Sequence, residues 1–221
     1  MNFYYDGIDP NEIEKLHNKG ILSGVTTNLT LINNERKKTG KSRLEIINPI
    51  KKLVNLYGLP LSIQLEKNKV NEMILEGLQL SKEYKNVDNL YIKVPVDFDK
   101  LEVIRELSIN KINVNATCIT AWPQAQAAAL AGARIVSFFW GKMSDQGIDP
   151  YSQVKNFYDW RRTHSGLNVK ILVGSIRQTS SIYSAFSAGS DIVTTNYLNW
   201  HKYIDQLLSS EANSIFQETN L

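Results

Sequence analysis

Apolar and polar positions along the chain fall into short runs that recur at intervals. Five-residue stretches rich in β-branched and aromatic side chains appear as NFYYD (2–6), SGVTT (23–27), LSIQL (61–65), LYIKV (90–94), INVNA (112–116), IVSFF (135–139), VKILV (169–173) and DIVTT (191–195). Between them run segments in which apolar residues return every three or four positions, the helical period. DPNEIEKLHNKG carries full helix punctuation, with Asp9 as N-cap, Pro10 at the first helical position and Gly20 as terminator. NEMILEGLQLSKEY, FDKLEVIRELSIN, WPQAQAAALAG, VKNFYDWRRTH and SSIYSAFSAG read as further helices. The stretch from Leu29 to Tyr57 is too long for one helix and predicts an extra helix or long loop after the second strand. The tail YIDQLLSSEANSIFQETNL reads as a helix beyond the eighth strand. Strands alternating with helices imply right-handed crossovers and a parallel sheet. Eight of them predict an α/β fold of one domain over 1–221, a (β/α)8 TIM barrel with an extra C-terminal helix. A doubly wound open sheet is the alternative.

Alternate residues of a strand face opposite sides, so in a barrel one set meets the helices and the other the lumen. In LYIKVPV the apolar set Leu90, Ile92, Val94 and Val96 belongs with the helices, which turns Lys93 into the lumen. An unpaired ammonium buried there is costly, so Lys93 is either paired or used. The same parity sets Asp6 opposite Phe3 and Tyr5, and Ser62 and Gln64 opposite Leu61, Ile63 and Leu65. It sets Asn113, Asn115 and Thr117 opposite Ile112, Val114 and Ala116, and groups Ser175 with Ile171 and Val173. Any one of these taken singly is equally well explained as a hydrogen-bonded core residue. Their convergence from different strands, where a bland barrel carries Val, Ile and Leu, points to a site. Burial favours the neutral amine of a lysine, whose lone pair attacks carbonyls to form a Schiff base. The iminium is an electron sink for the adjacent carbon–carbon bond, and a carboxylate or an activated water must move the protons.

Composition narrows the class. Of 221 residues, 43% are hydrophobic and 21% charged, and the net charge of +3 is scattered, which gives no footprint for nucleic acid. No apolar run reaches the ~18 residues that span a bilayer. MNFYYDGIDP lacks the basic and apolar regions of a signal peptide, and the lone Cys118 excludes an internal disulfide. These features predict a cytoplasmic protein, in which the glycosylation patterns Asn28-Leu-Thr30 and Asn115-Ala-Thr117 are chance matches. His17, His164 and His201 show no ligand spacing, so no metal is expected.

From FYYDGID through GVTTNLT, IKVPV, NVNATCITAWPQAQAAALAGA, VSFFWGKM and VGSIR to AGSDIVTT, the chain resembles the small transaldolases and fructose-6-phosphate aldolases. These are class I Schiff-base enzymes on a (β/α)8 barrel. The resemblance implies that Lys93 is the Schiff-base lysine and that Asp6 handles the hydroxyl proton during carbon–carbon cleavage. It implies substrate contacts for Thr26 and Asn28 in GVTTN, with the Asn28 amide on a hydroxyl, and for Asn115. Thr117 would hold the catalytic water with Asn115, and Ser175 and Arg177 in GSIR would take the phosphate. Three departures stand out. Gln64 replaces the water-activating glutamate of transaldolases and matches fructose-6-phosphate aldolase, leaving Glu66, of the same parity, as a further acid/base candidate. Phe139 replaces the proton-donating tyrosine of that aldolase and is the transaldolase choice, and Lys142 replaces a phosphate-binding arginine. Trp140, bulky where the family has a smaller residue, is expected to narrow the mouth.

The resemblance therefore implies transfer of a dihydroxyacetone unit from a ketose phosphate such as fructose 6-phosphate to an aldose phosphate such as erythrose 4-phosphate. Aldolase-type cleavage and a low-activity sugar-phosphate-binding barrel are the alternatives. No cofactor is implied, and the family's pentamers and decamers imply a homo-oligomer.

Overall fold

A computed structural model of the chain describes residues 1–205 apart from 86, 88 and 165. The eight strands β1 (Asn2–Asp6), β2 (Leu22–Thr26), β3 (Leu61–Gln64), β4 (Leu90–Pro95), β5 (Asn113–Ile119), β6 (Ile135–Phe139), β7 (Lys170–Gly174) and β8 (Ile192–Thr195) are all parallel. They pair in chain order and β8 returns to β1, closing the (β/α)8 barrel. Its helices include α1 (Pro10–Asn18), α2 (Leu29–Thr39), α3 (Arg43–Tyr57), α4 (Val70–Glu83), α5 (Lys100–Ile109), α6 (Trp122–Leu130), α7 (Trp140–Asp145), α8 (Pro150–Arg162), α9 (Thr179–Ser187) and α10 (Tyr197–Ile204). The long stretch after β2 is two helices, as its length predicts. Gly40, in the left-handed conformation at φ 71°, ends α2, and a capping box of Ser42 with Glu45 starts α3. The helix read from the tail falls mostly on residues 206–221, outside the described residues.

The lumen is layered, and the layering follows from strand parity. Tyr4, Ile135, Leu172 and Ile192 pack together with Tyr91 as an apolar floor. Two residues further along the same strands, about 6.6 Å up at the usual rise, stand Asp6, Ser137, Gly174, Thr194 and Lys93. Each of these five strands thus carries an apolar residue low and a polar or small one high. The Tyr4 ring occupies the space over Gly24, where an added Cβ would lie 2.5 Å from the ring, so β2 needs a glycine there. Outside the strands a single apolar core fills the gap to the helices, with Ile63, Ile92, Val94 and Val114 wholly buried. Closure between β8 and β1 is held by α10, whose Trp200 is buried, stacks on Phe3 and donates from its indole nitrogen to the Tyr4 carbonyl at 2.8 Å.

Candidate active site

Register decides which side chains meet. Across β3, β4 and β5, Gln64 pairs with Lys93 and Lys93 with Asn115, while Pro95 pairs with Thr117. On the other side of the barrel Asp6 on β1 pairs with Thr26 on β2. A cavity of about 390 Å³ opens above the apolar floor, and Asp6, Thr26, Asn28, Gln64, Lys93, Asn115, Thr117, Phe139 and Ser175 all line it. It lies at the C-terminal ends of the strands, where barrel enzymes place their chemistry.

Lys93 is 6% exposed. Burial pushes its amine below the ordinary lysine range, with the Asp6 carboxylate pulling the other way. Its Nζ donates to the Thr27 carbonyl at 2.8 Å, so the buried group has a partner without an ion pair. Asp6 accepts from Thr26 Oγ1 at 3.0 Å and from Asn28 Nδ2 at 3.4 Å. Asn28 can do this because it is also the N-cap of α2. Its Oδ1 accepts from the Leu31 amide at 3.0 Å, which leaves the Nδ2 side toward Asp6.

Asn115 is oriented in the same manner. Ser137 Oγ donates to its Oδ1 at 2.6 Å, and its Nδ2 donates to Ser62 Oγ at 3.2 Å. Thr117 is wholly buried, and its hydroxyl has no hydrogen-bond partner by geometry. Burial pushes the Cys118 thiol beside it up, while Lys93 and then the neighbouring Thr117 hydroxyl, too poorly aligned to make a hydrogen bond, draw it down. An orphaned hydroxyl on a cavity wall is a natural seat for a water or a substrate oxygen. Among the described residues, no group of three or more His, Cys, Asp or Glu side chains is arranged to hold a metal ion.

Several residues fall elsewhere than the sequence suggests. Parity groups Ser175 with Ile171 and Val173, which face the helices, yet Ser175 lies on the cavity wall. It stands past the end of β7 at φ 58°, and the left-handed backbone swings it inward. Glu66 shares the parity of Gln64 but lies beyond the end of β3, exposed and paired with Arg36, so it is no acid or base for the cavity. Lys142 on α7 is exposed and lies off the cavity wall. Arg177 is also outside the wall, crossing over Gly141 and donating to Asp145. Trp140 starts α7 and is buried in the core, so it does not narrow the mouth. Ser137, Thr194 and Cys118 line the cavity without having been singled out. Parity applied to IVSFF and DIVTT places the first two, since Ser137 and Thr194 follow Ile135 and Ile192 by two positions. Cys118, at φ 64°, escapes any alternation rule.

A family model described as Transaldolase/Fructose-6-phosphate aldolase matches residues 3–220. A probable transaldolase of Caldicellulosiruptor saccharolyticus is 34% identical over 197 residues, covering 89% of this chain and 86% of that one. One from a Chelativorans species is 35% identical over 88% of this chain and 84% of its own. One from Syntrophobacter fumaroxidans is 32% identical over 94% and 89%. On this full-length match and the barrel that carries it, the chain belongs to the transaldolase/fructose-6-phosphate aldolase family.

Proposed function

We propose that the protein is a transaldolase-type transferase that carries a dihydroxyacetone unit on Lys93 between sugar phosphates. The observation that supports this most is the desolvated Lys93 amine on a cavity wall shared with Asp6, Asn28 and Thr117. The neutral amine attacks the ketose carbonyl, and loss of water from the carbinolamine gives the iminium. Asp6 takes the proton of the hydroxyl on the far carbon of the bond that breaks, the carbon that leaves as the aldehyde. The carbon–carbon bond cleaves, its electron pair moves to the iminium nitrogen as an enamine, and an aldose phosphate leaves. The enamine carbon then attacks the acceptor aldehyde, Asp6 returns its proton to the new alkoxide, and water releases the ketose product from Lys93.

Gln64 is an amide and takes no proton, so its part is to orient water with Thr117. Phe139 adds no proton donor near the enamine, which favours transfer to an aldehyde over protonation and release. The phosphate falls to Ser175 at the rim and to the cations outside it. Arg177 keeps donors besides the one given to Asp145, and Lys142 supplies an exposed charge. Gln64, the aldolase residue type, motivates a second reading, cleavage without an acceptor.

The test is incubation with fructose 6-phosphate, with and without erythrose 4-phosphate, following glyceraldehyde 3-phosphate and trapping the adduct with borohydride. Release that requires the acceptor supports transfer. Release without it supports the aldolase reading, and trapping without release a binding protein. No trapped adduct, or an adduct that survives in Lys93→Met, removes the Schiff-base mechanism altogether.

A further inference from the structure

Above the floor, one buried hydroxyl has no part in the scheme just given. Thr194 on β8 lines the cavity and is 5% exposed. Its Oγ1 lies 2.7 Å from Thr26 Oγ1, which in turn lies 3.0 Å from Asp6 Oδ1. The direction of this chain follows from counting protons. A hydroxyl has one to donate, and a carboxylate only accepts. While Asp6 is ionised, Thr26 must give its proton to Asp6, so the bond between the two threonines has Thr194 as donor.

The geometry points to Thr194 as a positioning residue for Asp6, acting through Thr26 as a hydrogen-bond chain that reverses when Asp6 gains a proton. In the reversed state the Asp6 hydroxyl donates to Thr26, Thr26 donates to Thr194, and Thr194 turns its own proton into the cavity it lines. Asp6 is thereby hydrogen-bonded both before and after it takes the substrate proton, and no heavy atom has to move. Without the Thr194 hydroxyl, the reversed state strands the proton of Thr26, which is 1% exposed.

The rotamer that makes this possible is built in. A threonine is stiff at χ1. The methyl of Thr194 packs on Gly174, where an added Cβ would stand 3.2 Å from Thr194 Cγ2. With the methyl held on that side, the hydroxyl faces Thr26. The two sites are far apart in sequence, on β8 and β2, and meet only because the barrel closes through β1.

This role rests on the proposed Schiff-base chemistry, and the test separates the two. Wild type, Thr194→Val and Thr194→Ser are compared in two assays: borohydride trapping of dihydroxyacetone on Lys93, which breaks no carbon–carbon bond, and single-turnover cleavage of fructose 6-phosphate. Thr194→Val, which keeps the shape and loses the hydroxyl, is expected to trap as wild type does while cleavage slows about tenfold, the worth of one buried hydrogen bond. Thr194→Ser restores cleavage, and Thr26→Val loses no more when combined with Thr194→Val than alone. Equal cleavage by Thr194→Val and wild type, or a Ser variant as slow as the Val variant, overturns the role. So does parallel loss of trapping and cleavage. Should the Val side chain unfold the barrel, Thr194→Ala carries the same comparison. Failure of wild type to trap dihydroxyacetone removes the underlying mechanism instead.

Discussion

Lys93 occupies a place where folding works against its charge, and this has a measurable signature. Its ordinary pKa is 10.5, and burial lowers it. Above 10.5 neither the folded nor the unfolded chain binds a proton there. As the pH falls below that value, the unfolded chain protonates first, so stability drops until the pH passes the lower folded pKa and stays reduced beneath it. Lys93→Met is therefore expected to raise the melting temperature at neutral pH, by an increment that shrinks as the pH climbs toward 10.5. Thermal melts of both proteins across that range check it. Gln64 gives a second prediction at this scale. Gln64→Glu adds a carboxylate beside Lys93 in the register of β3 on β4, and is expected to speed the water-dependent steps severalfold in the coupled assay. Which residues could be placed in advance depended on backbone regularity. Lys93, Asp6, Asn115 and Thr117 lie within strands, where parity holds. Ser175 and Cys118 have positive φ, which the residue types do not announce.

Helices and strands were legible where period and punctuation agree, as with Asp9 and Pro10 at the start of α1. α7 was not, because its six residues are too few to show a period. Lys142 and Trp140, placed from the resemblance alone, take their directions from this helix. A different element controls the end of β3. Arg43 at the start of α3 donates to the Gln64 carbonyl and, at 2.7 Å, to Glu76 of α4. Glu76 also accepts from the Glu66 and Lys67 amides, fastening the turn after β3. Both side chains are largely covered, at 15% and 14% exposure. Arg43→Ala is expected to cost about 2 kcal/mol in urea unfolding, since it leaves Glu76 without its cation. It should also weaken the positioning of Gln64, seen as slower turnover at unchanged trapping of Lys93.

At the scale of the whole molecule, the barrel depends on its closing seam. Trp200→Ala removes a buried ring from between α10 and β1 together with the bond to the Tyr4 carbonyl. A loss of about 3–5 kcal/mol is expected, with one cooperative transition by circular dichroism and fluorescence if the seam belongs to the same folding unit as the rest. Closure was readable from eight alternating units, but the seam's chemistry was not, because Trp200 and Tyr4 are nearly the length of the chain apart. The apolar floor beneath the cavity has a consequence for kinetics. Tyr4, Ile135, Leu172 and Ile192 close its lower end, so among the described residues the way in and out is the mouth at the strand C-termini. On the proposed transfer, the first aldehyde would leave by the route the second uses to enter. A transfer run there is expected to give parallel double-reciprocal lines, with the leaving aldose competing against the incoming one for the loaded lysine.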